Sequence, residues 1–162
     1  MRKGCLLLVA VFLLTNWSSA KDQPKFKSVE VKHFPNAEGV ELPPEFSDFL
    51  YAELRATLQK KNLTEQLVGE DEVVDAADAP KSVVLEGSVL EYKKGSLVKE
   101  KLIGFGAGWR SLTAHVKLTR RSDNQILLDK DLKVRASSQW NPKTLAKFLA
   151  NSIAGELKHE SE

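Results

Sequence analysis

Cysteine is almost absent from this sequence, which carries only Cys5 among its 162 residues. One cysteine excludes an internal disulfide and a thiolate cluster for a metal ion. Long apolar runs are lacking as well. The run from Cys5 to Leu14 has about ten residues, half of the roughly 20 that a membrane-spanning helix needs. A fold made by the rest of the chain therefore depends on a packed hydrophobic core.

Residues 1–20 have the three parts of a secretory signal peptide. Arg2 and Lys3 form its positive start, the apolar run follows, and small residues precede a cleavage site after Ala20. We therefore expect a single mature α/β sandwich domain at residues 21–162, located in the periplasm or secreted. The cysteine stands at the start of the apolar run instead of after its end, so we expect neither a lipid anchor nor a transmembrane span after cleavage.

An excess of charge of one sign is also missing from the expected mature domain. The chain has 24 Lys and Arg against 22 Asp and Glu, and Arg2 and Lys3 leave with the signal. A neutral domain has no global electrostatic attraction for nucleic acid. The basic pairs at 93–94 and 120–121 have no aromatic stacking platform beside them, so we expect no nucleic-acid partner.

Catalytic and metal-binding patterns are not recognisable either. His33, His115 and His159 are far apart in the sequence, and no carboxylate stands at ligand spacing from them. The sequence has no Gly-x-Ser-x-Gly motif. The consecutive carboxylates at 70–72 point in different directions, as in a solvated turn. We expect a protein that is not an enzyme and that holds neither a cofactor nor a metal.

Residue periodicity predicts an α+β domain with the element order β-α-β-β-β-β-α. Strands are predicted at 25–34, 64–68, 82–92, 112–119 and 126–134, with a loop at 69–81. Gly87 inside the third strand indicates a bulge or a close approach of another chain segment. Apolar residues at helical spacing follow Pro43-Pro44 and Asn141-Pro142, which are typical helix starts. We expect a mostly antiparallel sheet of four to five strands with two helices packed on one face.

The last two strands form a hairpin whose register follows from their apolar residues. A two-residue turn would pair Leu118 with Asp129 and put the two apolar faces out of phase. A three-residue turn pairs Leu118 with Leu128 and brings the faces together. Asn124 then occupies the left-handed position of the turn, which asparagine tolerates.

The segment Gly104-Phe105-Gly106-Ala107-Gly108, called the glycine loop below, is the best candidate for a site. Its exposed N–H groups and the neighbouring cations could form an anion nest. Nucleotide-binding glycine loops lead from a strand into a helix, whereas a strand is predicted to follow this one. A simple strand connection, or a loop that contacts a protein or a membrane, remains the alternative. The candidate binding residues are Lys101, Gly104, Phe105, Gly106, Gly108, Trp109 and Arg110.

The hairpin register also predicts where two tryptophans lie. It places residue 109 opposite residue 137, so Trp109 and Trp140 should meet at one end of the sheet beside the glycine loop. The two rings either close that end of the core or form, with Phe105, an exposed aromatic patch for a partner.

Four features follow one another in the middle of the chain: Leu85-Glu86-Gly87, a basic stretch at 93–101, the glycine loop and the hairpin at 112–134. This layout resembles an uncharacterised family of secreted bacterial proteins, classed as a domain of unknown function. It is also similar to the periplasmic domain of the curli secretion channel lipoprotein. Trp109 stands where these proteins have a small residue, and Asp123-Asn124 replaces a Thr-Gly turn. The resemblance implies a periplasmic location and a fold but no reaction.

These observations predict a non-enzymatic envelope module that binds a protein partner or assembles through the glycine loop. The alternative is a domain that binds a small ligand, a nucleotide or an anion with the same loop.

Overall fold

A computed structural model of the chain describes residues 24–70, 75, 77–104, 106–141 and 143–159. These residues form five strands, three α-helices and one short 3-10 helix. Their bounds are β1 Phe26–Val31, α1 Phe46–Lys60, β2 Thr64–Val68, β3 Ser82–Lys93, α2 Leu97–Ile103, β4 Arg110–Arg120, β5 Ile126–Ala136 and α3 Lys143–His159, with the 3-10 helix at Ala79–Lys81. The expected signal peptide, Phe105 and Pro142 lie outside the described residues.

The five strands form one sheet in the order β2-β1-β3-β4-β5. The α+β class is confirmed, but the sheet is mixed rather than mostly antiparallel. β1 runs parallel to both β2 and β3, whereas β3, β4 and β5 are antiparallel neighbours. The parallel half arises because α1 carries the chain back between β1 and β2, and the segment after β2 returns it again before β3. The alternation of apolar and polar residues along a strand does not show whether its neighbours run parallel or antiparallel to it.

The connection between β3 and β4 contains helix α2, so the described chain has three α-helices rather than the two expected. The Ser96 hydroxyl caps its start by accepting a hydrogen bond from the N–H of Lys99 at 3.4 Å. Gly104, with φ 67°, ends it. The helix has seven residues and none of them is buried. Periodicity did not predict it because a short helix without a buried stripe has no apolar repeat.

The hydrophobic core lies between the sheet and the two long helices. α1 and α3 pack against each other, and α3 also contacts β4 and β5. The buried stripes of the helices include Phe46, Leu50, Leu54 and Leu58 of α1, and Leu145, Leu149, Ile153 and Leu157 of α3. Asn141 caps α3 as predicted, since its Oδ1 accepts a hydrogen bond from the N–H of Lys143 at 2.9 Å. Both long helices therefore cover one face of the sheet.

The register of the β4–β5 hairpin is the predicted one. Leu118 pairs with Leu128 and Ala114 with Leu132, and Asn124 has φ 55°. Next to the turn the register shifts by one residue, because Thr119 pairs with Ile126 and the N–H of Arg120 donates to the carbonyl of Gln125 at 2.8 Å. The turn therefore has four residues, 121–124, and the predicted length of three is wrong.

The close approach predicted at Gly87 is also confirmed. A Cβ atom added there would lie 2.3 Å from the carbonyl oxygen of His115 and 2.6 Å from Cε2 of Phe34. The bulge of β3 lies elsewhere, between Val89 and Glu91.

Candidate functional site

Helix α2 is the part of the described chain where large apolar side chains are most exposed. The exposed fraction is 66% for Val98, 80% for Leu102 and 64% for Ile103, and Leu97 is 47% exposed. Single exposed apolar residues are ordinary on protein surfaces, but several on one short helix indicate a contact surface.

One carboxylate, Glu100, holds α2 to the domain. It accepts hydrogen bonds from the hydroxyl of Ser137 at 2.6 Å, from the N–H of Ser138 at 3.0 Å and from the hydroxyl of Ser138. The nearby indole N–H of Trp109 is the weakest of the groups that favour the charged form of this carboxylate. These bonds, that of Ser137 first, lower the pKa of Glu100 from its ordinary value because they favour the charged form. The face of α2 that carries Glu100 is therefore turned towards the β5–α3 connection.

The backbone around α2 requires glycine at three positions of the glycine loop. Gly104, Gly106 and Gly108 all have φ between 67° and 86°, a region that favours glycine. A Cβ on Gly108 would lie 2.3 Å from the carbonyl oxygen of Ser96, so the first turn of α2 could not pack where it does. The glycine loop thus returns the chain from α2 to β4 in close contact with the start of the helix.

Two N–H groups of the glycine loop, those of Gly104 and Ala107, are used inside the loop and the helix, and so is the N–H of the following Trp109. Gly104 donates to the carbonyl of Glu100 at 3.1 Å, and Ala107 donates to that of Gly104 at 2.9 Å. The N–H of Trp109 donates to the carbonyl of Gly106 at 3.2 Å. An anion nest needs such groups free and converging on one point.

Arg110 and Lys101, the two cations proposed for the glycine loop, lie in different surroundings. The guanidinium of Arg110 donates to the carbonyl of Lys94 at 2.9 Å and to the carbonyl of Trp140. Lys101 lies on α2 and is exposed. The structure therefore brings Arg110 to the tryptophans and leaves Lys101 on the helix surface.

Trp109 and Trp140 lie at one end of the sheet, as the register predicted. Arg110 pairs with Ala136 across the hairpin, and its side chain reaches the backbone of Trp140. Trp140 packs edge-on against Phe148 with ring centroids 5.8 Å apart. Trp109 is 43% exposed and Trp140 is 51% exposed, so neither ring is part of the core. Trp109, Arg110, Trp140 and Phe148 are called the tryptophan end below.

His33, which follows β1, and His115 of β4 line an open groove of about 360 Å³. The Nδ1 atom of His33 lies 3.0 Å from a carboxylate oxygen of Glu70, and the Nδ1 atom of His115 lies 2.9 Å from one of Asp131. Sequence spacing missed these pairs because they form across neighbouring segments. Lys32 and Lys117, which also line the groove, both contact Glu86. Among the described residues, no group of three or more His, Cys, Asp and Glu side chains could hold a metal ion.

Sequence reasoning found the tryptophan end and the glycine loop but missed α2. A usable signal was present: Gly95-Ser96 before the helix and Gly104 after it are typical helix boundaries, and leucine, lysine and glutamate between them favour helix.

A family model described as a domain of unknown function, DUF4410, matches residues 36–130. The chain belongs to this family. The matched segment begins before α1, contains α2 and ends within β5. The matched part of the chain therefore includes the glycine loop. No curated protein sequence matches the chain. The similarity to the curli secretion channel lipoprotein remains a prediction.

Solved structures resemble the domain in fold. The dodecamer of a PelC variant from Paraburkholderia phytofirmans has a TM-score of 0.60 at 14% identity over 83% of this chain and 88% of that one. Protein XCC0632 from Xanthomonas campestris, described with the family model DUF330, has a TM-score of 0.54 at 10% identity over 87% and 93% of the two chains. At such identities the likeness is one of fold alone. No helix in the described part of the DUF4410 domain is long and apolar enough to cross a membrane.

Proposed function

We propose that this DUF4410 domain is a non-enzymatic module of the cell envelope that binds a protein partner at the tryptophan end, beside the glycine loop. The observation that carries the proposal is the pair of half-exposed indoles, Trp109 and Trp140, at the same end of the sheet, where the side chain of Arg110 donates to the backbone carbonyl of Trp140. Tryptophan and arginine are the residue types most enriched among the energetic centres of protein interfaces.

The tryptophan end is held in one arrangement before any partner arrives. Arg110 is fixed by two backbone carbonyls and Trp140 by the ring of Phe148. The ring of Trp109 lies against Gly106, where an added Cβ would be 3.5 Å from it. A preorganised surface loses little conformational entropy on binding, which favours affinity. Gly104 and Ala107 donate their N–H groups within the loop and the helix, and Arg110 donates to two carbonyls. These donors are not available to an anion, which favours protein binding over small-ligand binding.

The comparisons support this proposal at the level of fold. PelC, which shares the fold, is described as a dodecamer, so a domain of this shape is compatible with association between proteins. The tripartite start of the sequence supports an envelope location. We infer the absence of enzymatic activity from the lack of a recognisable catalytic arrangement in the sequence.

Crosslinking in the native envelope, followed by recovery of the tagged protein, tests the proposal. Wild type should yield a crosslinked protein species, and Trp140→Ala should lose it while the domain remains folded, with a urea midpoint that falls only modestly because half of the ring is already exposed. Ile126→Ala is the matched control, since Ile126 is 52% exposed on β5, away from the tryptophan end. Mass analysis of the species distinguishes a second copy from another protein. Equal crosslinking of wild type and Trp140→Ala would contradict the proposal.

A further inference from the structure

Helix α2 turns an apolar ridge away from the domain. Successive residues of an α-helix are rotated by about 100° around its axis. Because Glu100 faces the domain, Val98 and Leu102, two residues before and after it, lie almost opposite and close to each other. Lys99 and Lys101 then lie on the two sides of this ridge. The exposed fractions agree, since Val98 and Leu102 are the most exposed apolar residues of the helix.

The ridge does not contribute to the core. None of the seven residues of α2 is buried, and the helix is attached through its cap, the glycine loop and Glu100. Replacing Val98 or Leu102 with a polar residue would therefore leave the packing of the domain unchanged. A short exposed helix that keeps these apolar side chains indicates that something covers them.

The charges around the ridge indicate what covers it. Lys94, Lys99 and Lys101 are exposed and form no ion pair with the described residues, and the one carboxylate of the helix, Glu100, is bound by serines. Lysine is depleted from the core of protein interfaces. In contrast, lysines that flank an apolar ridge suit a bilayer surface, where their stems lie along the acyl boundary and their ammonium groups reach lipid phosphates.

We propose that the outer face of α2 binds peripherally to the surface of an anionic phospholipid bilayer. Val98 and Leu102 enter the boundary between headgroups and acyl chains, and Lys99 and Lys101 contact the phosphates on either side. This surface is distinct from the tryptophan end, so the inference goes beyond the proposed protein binding. A few apolar side chains and two or three lysines give weak, reversible binding that depends on lipid charge and on salt.

Co-sedimentation of the exported protein with lipid vesicles tests the proposal. The probes are vesicles of phosphatidylcholine alone and vesicles of phosphatidylcholine mixed equally with phosphatidylglycerol. Wild type should bind the anionic vesicles, more weakly at high salt, and should not bind the neutral ones. Lys99→Gln and Lys101→Gln should each weaken binding about fivefold, the effect of one lysine near an anionic surface. Leu102→Asp should abolish binding.

Two matched variants serve as controls. Ile126→Asp places the same charge at an exposed apolar residue of β5, and Lys147→Gln removes a charge from the exposed side of α3. Both should bind the anionic vesicles like wild type, and all variants should keep the urea midpoint of wild type. Equal sedimentation with neutral and anionic vesicles, no binding by folded wild type, or equal losses for Ile126→Asp and Leu102→Asp would overturn the proposal.

If a protein instead of a bilayer covers the ridge, the variants behave differently in the vesicle and crosslinking assays. In that case Leu102→Asp would leave vesicle binding unchanged and would lose the crosslinked species, and the lipid proposal would be wrong. Trp140→Ala separates the two proposals, because it should lose the protein partner and keep vesicle binding.

Discussion

Gly87 offers the sharpest test of how closely the strands and Phe34 pack over the sheet. A Cβ atom at this position would lie 2.3 Å from the carbonyl oxygen of His115, whereas ordinary van der Waals contact begins near 3.4 Å. The oxygen belongs to β4, which is paired on both sides, so it cannot move without disturbing the sheet. The second contact, Phe34, is only 2% exposed and has little room to turn away.

Gly87→Ala should therefore destabilise the domain. Overpacking of this kind costs about 1–3 kcal/mol, and the loss of glycine flexibility in the unfolded chain offsets roughly 0.5–1 kcal/mol of it. A net loss of about 1–2 kcal/mol in the free energy of unfolding corresponds to a urea midpoint lowered by roughly 1 M.

Gly155→Ala is the matched control because it makes the same change in a different place. Gly155 lies inside α3, and a Cβ there would meet nothing within 4 Å. Alanine in an open helical position stabilises by about 0.5–1 kcal/mol relative to glycine. Urea unfolding followed by circular dichroism should thus show midpoints that move in opposite directions. If Gly87→Ala is as stable as wild type, the close approach of β3, β4 and Phe34 is wrong.

Three further results are expected. Leu149→Ala should lower the free energy of unfolding in urea by about 2–5 kcal/mol, because Leu149 is fully buried, and Lys147→Ala should change it little; equal effects would mean that the buried face of α3 is misassigned. Because the folded pKa of Glu100 is lowered, its attachment of α2 should be complete above the ordinary carboxyl pKa of about 4.3 and lost as pH falls through the folded value. An NMR titration of the backbone N–H of Ser138, which donates to Glu100, follows this loss, and a signal that stays unchanged throughout the acid titration would contradict the attachment. Mass spectrometry of exported material should find Lys21 as the first residue, and a lipid or a retained signal would contradict the predicted processing.

Elements that follow local rules could be predicted from the sequence. The β4–β5 hairpin was predicted to its register because two alternating apolar faces must coincide and Asn124 suits the left-handed position of the turn. α1 and α3 followed from apolar residues at helical spacing, and Asn141 marked the start of α3. The end of the sheet at which Trp109 and Trp140 meet followed from the same register.

The neighbours and directions of the strands, and with them the character of the candidate site, depend on contacts between distant parts of the chain. β1 lies between β2 and β3 and runs parallel to both, which periodicity cannot show because it reports the buried face and not the adjacent strand. Helix α2 is oriented by hydrogen bonds between Glu100 and Ser137 and Ser138, residues 37 and 38 positions away. Exposure is a property of such long-range contacts. For that reason the sequence shows that Trp109 and Leu102 are large and apolar, but their exposure is known only from the folded domain.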